Sequence, residues 1–322
     1  MRYGLRPVAG GRSFGLAAQQ TEVAEELGFD GVFFGEHHGF PDYWPSPVLA
    51  LTALARSTTR IRLGASVLIL PLHHPVRLAE ELAMLDCLSD GRLVVGLGQG
   101  WASHEFDAFS VPRPQLGEIF TEGVSLLKRL WASQPTTFHG SFYSLKAYTI
   151  SPAVVQEPHP PIWLGGNAPS AIRRAAALAD GWLCGDIETI EELAKGMAVY
   201  EAALQDVGRK EPVTVFPAGR HIVLAASSRQ AWQEAESYFA STYAPLLDRK
   251  NPKVDKATRR GLAGLVQDRH IVGDPLECAE FIRRLQQEIG INYLILKFSR
   301  RDSIDGFVSQ VRLFVDKVIP RV

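Results

Sequence analysis

The sequence predicts an α/β fold, a (β/α)8 TIM barrel, with insertions at the face where the strands end. Short apolar runs rich in β-branched and aromatic residues alternate with longer helical stretches along the chain. Repeated βα units with buried strands imply a parallel sheet. The units number close to eight, which suits a closed barrel better than an open doubly wound sheet. The length agrees, because 322 residues fit one barrel of about 250 residues enlarged by insertions.

The elements follow in order. Met1–Arg6 reads as a first strand and Leu16–Leu27 as a helix. Gly31–Phe34 is a short buried strand. Pro47–Ser57 is an Ala/Leu-rich helix with Pro at its start, where a missing N–H costs little. Ile61–Leu70 is a strand and its exit. Pro75–Leu88 is a helix with apolar residues at Val76, Leu78, Ala79, Leu82, Ala83 and Leu85, broken by Ser89-Asp90-Gly91. Leu93–Leu97 is the next strand and Phe120–Ala132 the next helix. Ile162–Leu164, Ser170–Ala179 and Trp182–Leu183 read as strand, helix, strand. Glu191–Val207 is a helix stopped by Gly208, and Val213–Ala226 contains a strand with Pro217 near its start. Asp274–Glu288 is a helix, Asn292–Lys297 a strand and Ile304–Val318 the closing helix.

Insertions are expected near 101–119, 133–160 and 241–270, within a single domain spanning 1–322. Thr136–Phe142 and Tyr143–Ile150 suit a hairpin around His139-Gly140-Ser141. Ser241–Asp268 is charged and shows no clean period.

Composition excludes several classes. Lys+Arg 34 against Asp+Glu 35 leaves a net charge of −1, which gives no reason to expect nucleic acid or an anionic membrane as partner. Cys87, Cys184 and Cys278 are too widely spaced for a local zinc site and read as buried thiols of a reducing compartment. The N-terminal stretch lacks the apolar core of a signal peptide, and no apolar run reaches the length of a membrane span. A cytoplasmic protein is expected.

In a barrel, chemistry belongs at the strand C-termini. Glu36-His37-His38 directly follows the strand Gly31–Phe34, where an imidazole can act as acid, base or hydrogen-bond partner. Glu36, His37, His38, His73 and His74 do not form a convincing metal set. Adjacent residues of extended chain point opposite ways, and no H-E-x-x-H pattern is present. Gly64-Ala65-Ser66-Val67 ends the third strand, where small residues would let a flat ring approach the backbone. Gly96-Leu97-Gly98-Gln99-Gly100-Trp101 ends the fourth and would allow the same approach. It lacks the spacing of a dinucleotide fingerprint. Gly165-Gly166-Asn167-Ala168-Pro169-Ser170 runs from the fifth strand into a helix, an arrangement that suits phosphate, although Asn167 and Ser170 also suit simple helix caps. Arg173 and Arg174 are expected on the solvent face of that helix.

Taken together, these motifs resemble the bacterial-luciferase-like family of flavin-dependent monooxygenases and their deazaflavin-dependent relatives. The match rests on Gly28-Phe29-Asp30-Gly31, Glu36-His37-His38, Arg60–Gly64 and Leu70-Pro71-Leu72-His73-His74-Pro75-Val76-Arg77. It continues through Leu88–Leu93, Gly96–Gly100, Pro161–Gly166 and Ala179-Asp180-Gly181-Trp182, and is strongest over about residues 25–185. The resemblance implies a luciferase-like barrel in which His37 is the catalytic histidine and His38 its supporting neighbour. Ser66–Val67 would be a non-proline cis peptide backing the flavin ring, and Gly165–Ser170 the phosphate clamp. Cofactor contacts are expected from Glu36, Ser66, Val67, Gly98, Gln99, Gly165, Gly166, Asn167 and Ser170, with no metal. Two departures stand out. Gly98 and Gln99 replace a cysteine and a phosphate-contacting arginine of luciferase, and Gly166 replaces a carboxylate.

The activity implied is monooxygenation of a small organic substrate, such as an aldehyde or ketone, by O2 and reduced FMN supplied by a separate flavin reductase. The alternative is a deazaflavin (coenzyme F-420)-dependent hydride-transfer oxidoreductase. A second alternative is a non-catalytic flavin-binding partner subunit. The helices Pro47–Ser57 and Pro75–Leu88 match the luciferase-type dimer interface, so a homodimer is expected.

Overall fold

In the computed structural model of the chain, residues 1–10, 13–41, 43–132, 135–208, 213–248, 264 and 266–322 are described. Its strands are β1 (Arg2–Leu5), β2 (Gly31–Phe34), β3 (Arg62–Ala65), β4 (Leu68–Ile69), β5 (Leu93–Gly98), β6 (Thr136–His139), β7 (Ser144–Tyr148), β8 (Ile162–Gly165), β9 (Gly181–Leu183), β10 (Pro217–Leu224), β11 (Ile271–Gly273) and β12 (Tyr293–Phe298). Its helices are α1 (Phe14–Glu26), α2 (Pro47–Ser57), α3 (Pro75–Leu88), α4 (Ser103–Ala108), α5 (Leu116–Ala132), α6 (Pro169–Leu178), α7 (Ile190–Val207), α8 (Ser228–Asp248), α9 (Pro275–Ile289) and α10 (Ile304–Leu313).

The strands β10, β12, β1, β2, β3, β5, β8 and β9 pair side by side, all parallel. The row closes on itself through the bridge Cys184↔Ala218, where the Cys184 amide donates to the Pro217 carbonyl at 2.8 Å. Eight parallel strands therefore form the TIM barrel that the alternation implies. The run Ile61–Leu70 is not one strand. It divides into β3 and β4 at Ser66–Val67, and β4 pairs with the far end of β5.

Large rings fill the barrel. Phe33 stacks on Trp163 at 5.4 Å between centroids, and Tyr293 meets both edge-on. The neighbouring strands make room by carrying glycine. A Cβ on Gly64 would lie 2.3 Å from the Phe33 ring, and one on Gly4 2.7 Å from it. Burial of a ring such as Phe33 contributes about 2–3 kcal/mol. Gly64 thus makes room for a core side chain, whereas the sequence reading kept that space for a ligand.

Three elements escaped the sequence reading: α4 in the insertion after β5, α8 and β11. α8 occupies the first part of the charged stretch, and β11 extends the upper end of β10 through Ile222↔Ile271, Val223↔Val272 and Leu224↔Gly273. Within the expected insertion at 241–270, residues 249–263 and 265 lie outside the described residues. The expected hairpin is present as β6 and β7, with shorter strands than the sequence suggested. It leaves the C-terminal end of α5 and lies along the outside of α3 and α5. Tyr148 donates to Glu80 at 2.8 Å, and Glu122 accepts the amides of Ser141, Phe142 and Tyr143. Capping boxes at Thr189/Glu192 and Asp274/Glu277 start α7 and α9.

Candidate active site

The three residues after β2 part company. The Glu36 carboxylate turns into the protein and is 2 % exposed. It accepts the Ile69 amide at 2.6 Å and pairs with Nε2 of His38 at 3.0 Å and Nε2 of His73 at 2.9 Å. His37 goes the other way. Its Nδ1 lies 2.9 Å from Oε1 of Glu105, and the same oxygen accepts the His38 amide at 2.7 Å. Glu105 is on α4, in the insertion after β5, and is fully buried. Burial pushes its carboxyl up, but the hydrogen bond and positive charge of His37 and the His38 amide outweigh that and hold it below the usual carboxylate range. With Nδ1 bonded to a carboxylate, the proton is assigned to Nδ1 and Nε2 is left available. Phe40, Tyr43 and Trp101 surround the His37 ring at 4.8, 4.6 and 5.8 Å.

The Ser66–Val67 peptide bond is cis. Arg6, just past β1, donates to the Ser66 carbonyl at 3.1 Å and to its hydroxyl at 2.8 Å, and pairs with Asp186 at 3.1 Å. The Val67 side chain fills space left by two glycines. A Cβ on Gly98 would lie 2.5 Å from Val67 Cγ2, and one on Gly165 3.2 Å from Cγ1. Gly96 faces the Ala65 carbonyl, and Gly100 faces Ile69 and Phe106. The glycines of Gly96–Gly100 therefore let strands and side chains of this chain approach one another, where the sequence reading had them admit a ligand to the backbone.

At the end of β8, Gly166 has φ +138 and its carbonyl accepts the Trp182 indole N–H at 2.8 Å. Asn167 does not cap α6. It donates to Glu188 at 2.6 Å instead. The residue preceding the helix is Ala168, and no side chain caps it. Ser170 is exposed in the first turn. In this turn Pro169 has no N–H and the Ala171 amide bonds the Ala168 carbonyl at 2.9 Å, so the Ser170 amide and hydroxyl are the donors that no capping side chain takes up. Arg173 is exposed as expected, whereas Arg174 is half-buried, with its guanidinium over the Phe120 ring and 3.5 Å from Oε1 of Gln99. One amide, a hydroxyl and a nearby cation fit the phosphate of a flavin nucleotide, and the Val67 side chain lies beside Gly165 at the start of this segment.

A second polar group inside the barrel was not anticipated. The Asp186 carboxyl, raised by burial, is lowered overall by Arg6 and Lys297. His221 packs against His270 at 5.0 Å between centroids. Burial pushes both imidazoles down, His270 to about 3, so both are neutral near pH 7. Arg220 is buried and bonds the carbonyls of Gly185, Gly219 and Glu188. The visible signal was Arg220-His221 inside an otherwise apolar strand, and Arg6 at the end of the first. Glu105 had no comparable signal. Among the described residues, no cluster has the makings of a metal site, and no helix is long and apolar enough to cross a membrane.

Comparison with known proteins agrees with this geometry. Residues 2–293 match the family described as luciferase-like monooxygenase. The oxygenase component of flavin-dependent trigonelline monooxygenase from Acinetobacter baylyi is 28% identical over 82% of this chain and 73% of its own length. An F420-dependent glucose-6-phosphate dehydrogenase from Nakamurella multipartita is 28% identical over 98% of this chain and 88% of its own length. The match to the uncharacterised protein y4vJ of Sinorhizobium fredii is 35% identical but spans 45% of that protein's length. The crystal structure of monooxygenase RslO1 from Streptomyces bottropensis superposes with a TM-score of 0.85 at 28% identity, covering 99% of both chains. The FMN complex of the oxygenating constituent of 3,6-diketocamphane monooxygenase from Pseudomonas putida has the same fold, with a TM-score of 0.83 at 20% identity over 100% of this chain and 99% of its own. The barrel, the His37 site and the family match lead to one conclusion: this chain belongs to the luciferase-like monooxygenase family.

Proposed function

We propose that the protein is a monooxygenase using O2 and reduced FMN, acting on a small organic substrate such as an aldehyde or ketone. One observation carries this reading: His37, among aromatic rings at the end of β2, is held through Nδ1 by a buried carboxylate with a lowered pKa. When bound, reduced FMN supplies two electrons and activates O2, so that one oxygen atom enters the substrate and the other leaves as water. Nε2 of His37 holds or accepts a proton at the reacting face, and Glu105 stabilises the imidazolium when it forms. Phe40, Tyr43 and Trp101 exclude water from that proton. Val67 backs the ring system, with Ser66 held by Arg6. Gly165, Gly166 and Ser170, the last through its amide and hydroxyl, hold the phosphate. Glu36 and His38 act from behind, fixing the turn that aims His37.

The relationship to an oxygenase component supports a separate flavin reductase as electron donor. A dimer through α2 and α3 is supported by Leu49, Met84 and Leu88, which stand exposed on these helices. The second reading, hydride transfer with coenzyme F-420, is supported by the F420-dependent relatives. The complete His37–Glu105 pair favours a catalytic chain over a partner subunit without a site.

Parallel anaerobic titrations with reduced FMN and with coenzyme F-420, followed by admission of O2, test the proposal. Tight FMN binding with substrate-dependent O2 uptake is expected. Binding of coenzyme F-420 alone, with no O2 uptake, sinks it.

A further inference from the structure

A charge inside a barrel has given up its water, so groups of opposite sign or carbonyls must hold it there. Arg6, which follows β1, is held by both. Its Nη1 pairs with Asp186 at 3.1 Å, and its Nη2 donates to the Ser66 hydroxyl at 2.8 Å and to the Ser66 carbonyl at 3.1 Å. Asp186 follows β9. Around the ring, β12 and β10 stand between β1 and β9 on one side, and β2, β3, β5 and β8 on the other. The pair therefore crosses the interior of the barrel mouth and does not join neighbouring strands.

The barrel leaves room for it. On β10, a Cβ at Gly219 would lie 3.1 Å from Cβ of Asp186 and 3.8 Å from Nη2 of Arg6. Lys297 of β12 acts on the same carboxylate. The place of Asp186 inside the barrel pushes its carboxyl up, but Arg6 and Lys297 outweigh that and keep it ionised. Its side chain is 32% exposed, so the group is open to the mouth. Ser66, which Arg6 grips, directly precedes Val67. A guanidinium thus stands one residue away from the side chain assigned above to the back of the flavin ring, in surroundings less polar than water, where a charge acts over a longer distance.

We propose that the Arg6–Asp186 pair sets the reduction potential of the bound flavin, with Arg6 raising it and Asp186 tempering that effect. Uptake of two electrons and one proton leaves the flavin ring with one negative charge. A cation near the ring stabilises that form over the oxidised one, and a carboxylate does the reverse, without either touching the ring. This rests on the flavin reading above and adds to it the means by which this chain favours reduced FMN.

The test is the potential of FMN bound to the full chain, measured by anaerobic equilibration with a reference dye, for the unaltered protein, Arg6→Gln, Arg6→Lys and Asp186→Asn. Titrations with oxidised and with dithionite-reduced FMN give the two affinities separately, and thermal melting checks that each variant is folded. Arg6→Gln should weaken binding of reduced FMN about tenfold relative to oxidised FMN, which is about 30 mV in a two-electron potential. Arg6→Lys, which keeps the charge, should stay near the unaltered value. Asp186→Asn should shift the potential upward by a similar amount. A pair that merely ties β1 to β9 would behave otherwise, because breaking it from either side would weaken both forms of FMN alike. Potentials that do not move, or that move in the same direction in Arg6→Gln and Asp186→Asn, overturn the inference and leave the flavin reading standing. Should Arg6→Gln not fold, Asp186→Asn decides alone: an upward shift is expected, and no shift or a downward one overturns the inference. An unaltered protein that binds neither form of FMN removes both.

Discussion

His37 and Glu105 stand 68 positions apart and meet at 2.9 Å, on a carboxylate that also takes the His38 amide. One buried oxygen therefore sets both the ring and the backbone of the candidate catalytic turn. It gives each histidine a different task, because the His38 ring is spent on Glu36.

The first prediction separates these tasks. His37→Asn should lower turnover by about 10²–10⁴-fold, the usual contribution of a positioned acid or base, with little change in flavin affinity. His38→Asn should instead lower stability by about 1 kcal/mol, about 1–2 °C in Tm for a chain of this size, with a much smaller effect on turnover. The pair also has a pH signature. A carboxyl lowered in the folded state contributes stability that is present above its unfolded value, near 4.5, and is lost as the pH falls through its folded value. The Tm of the unaltered protein should therefore fall more steeply below pH 4.5 than that of Glu105→Gln. Equal slopes would show that Glu105 is not the group responsible.

The second prediction concerns Gly64. An alanine there would place its Cβ 2.3 Å from the Phe33 ring. Overpacking of this kind should cost about 1–3 kcal/mol, measured by denaturant unfolding. Phe33→Leu should recover part of the loss in the double variant. If the two losses simply add, the contact is not the cause.

The third prediction concerns assembly. Leu49 on α2 and Met84 on α3 are 73% and 52% exposed. Leu49→Glu and Met84→Glu should each halve the mass seen in sedimentation while the far-ultraviolet circular dichroism stays the same. A monomeric unaltered protein would refute the proposed α2–α3 interface.

Much of the barrel was legible because its strands are short apolar runs and its helices long periodic ones. Pro47–Ser57 and Pro75–Leu88 have the same ends in the structure as in the sequence. β11 was not legible, since three residues carry no period, and α8 was obscured by its polar surface. In the site, Glu36-His37-His38 stood out as a turn of titratable groups at a strand end. Its partner Glu105 did not, because a lone carboxylate on a six-residue helix reads as surface until the fold buries it. The glycines misled for a related reason. A missing side chain shows in the sequence, but Phe33 and Val67, which fill the space, come from other parts of the chain, β2 and the link between β3 and β4.

One feature of β10 bears on how this barrel could change. The chain leaves the strand's upper end at Ala225 and returns to it at Ile271, where Leu224 pairs with Gly273 and the Ala225 amide bonds the Gly273 carbonyl. Both ends of the excursion are thus fastened to the same few residues, and the ring closes elsewhere, at Cys184 and Ala218. Within it α8 packs Ala235, Phe239 and Tyr243 against Val223 of β10, and Glu234 pairs with Arg300 at 2.7 Å. The excursion is anchored to the barrel at its clasp and along α8 alike, so a change of sequence that keeps both anchors leaves the His37 turn untouched.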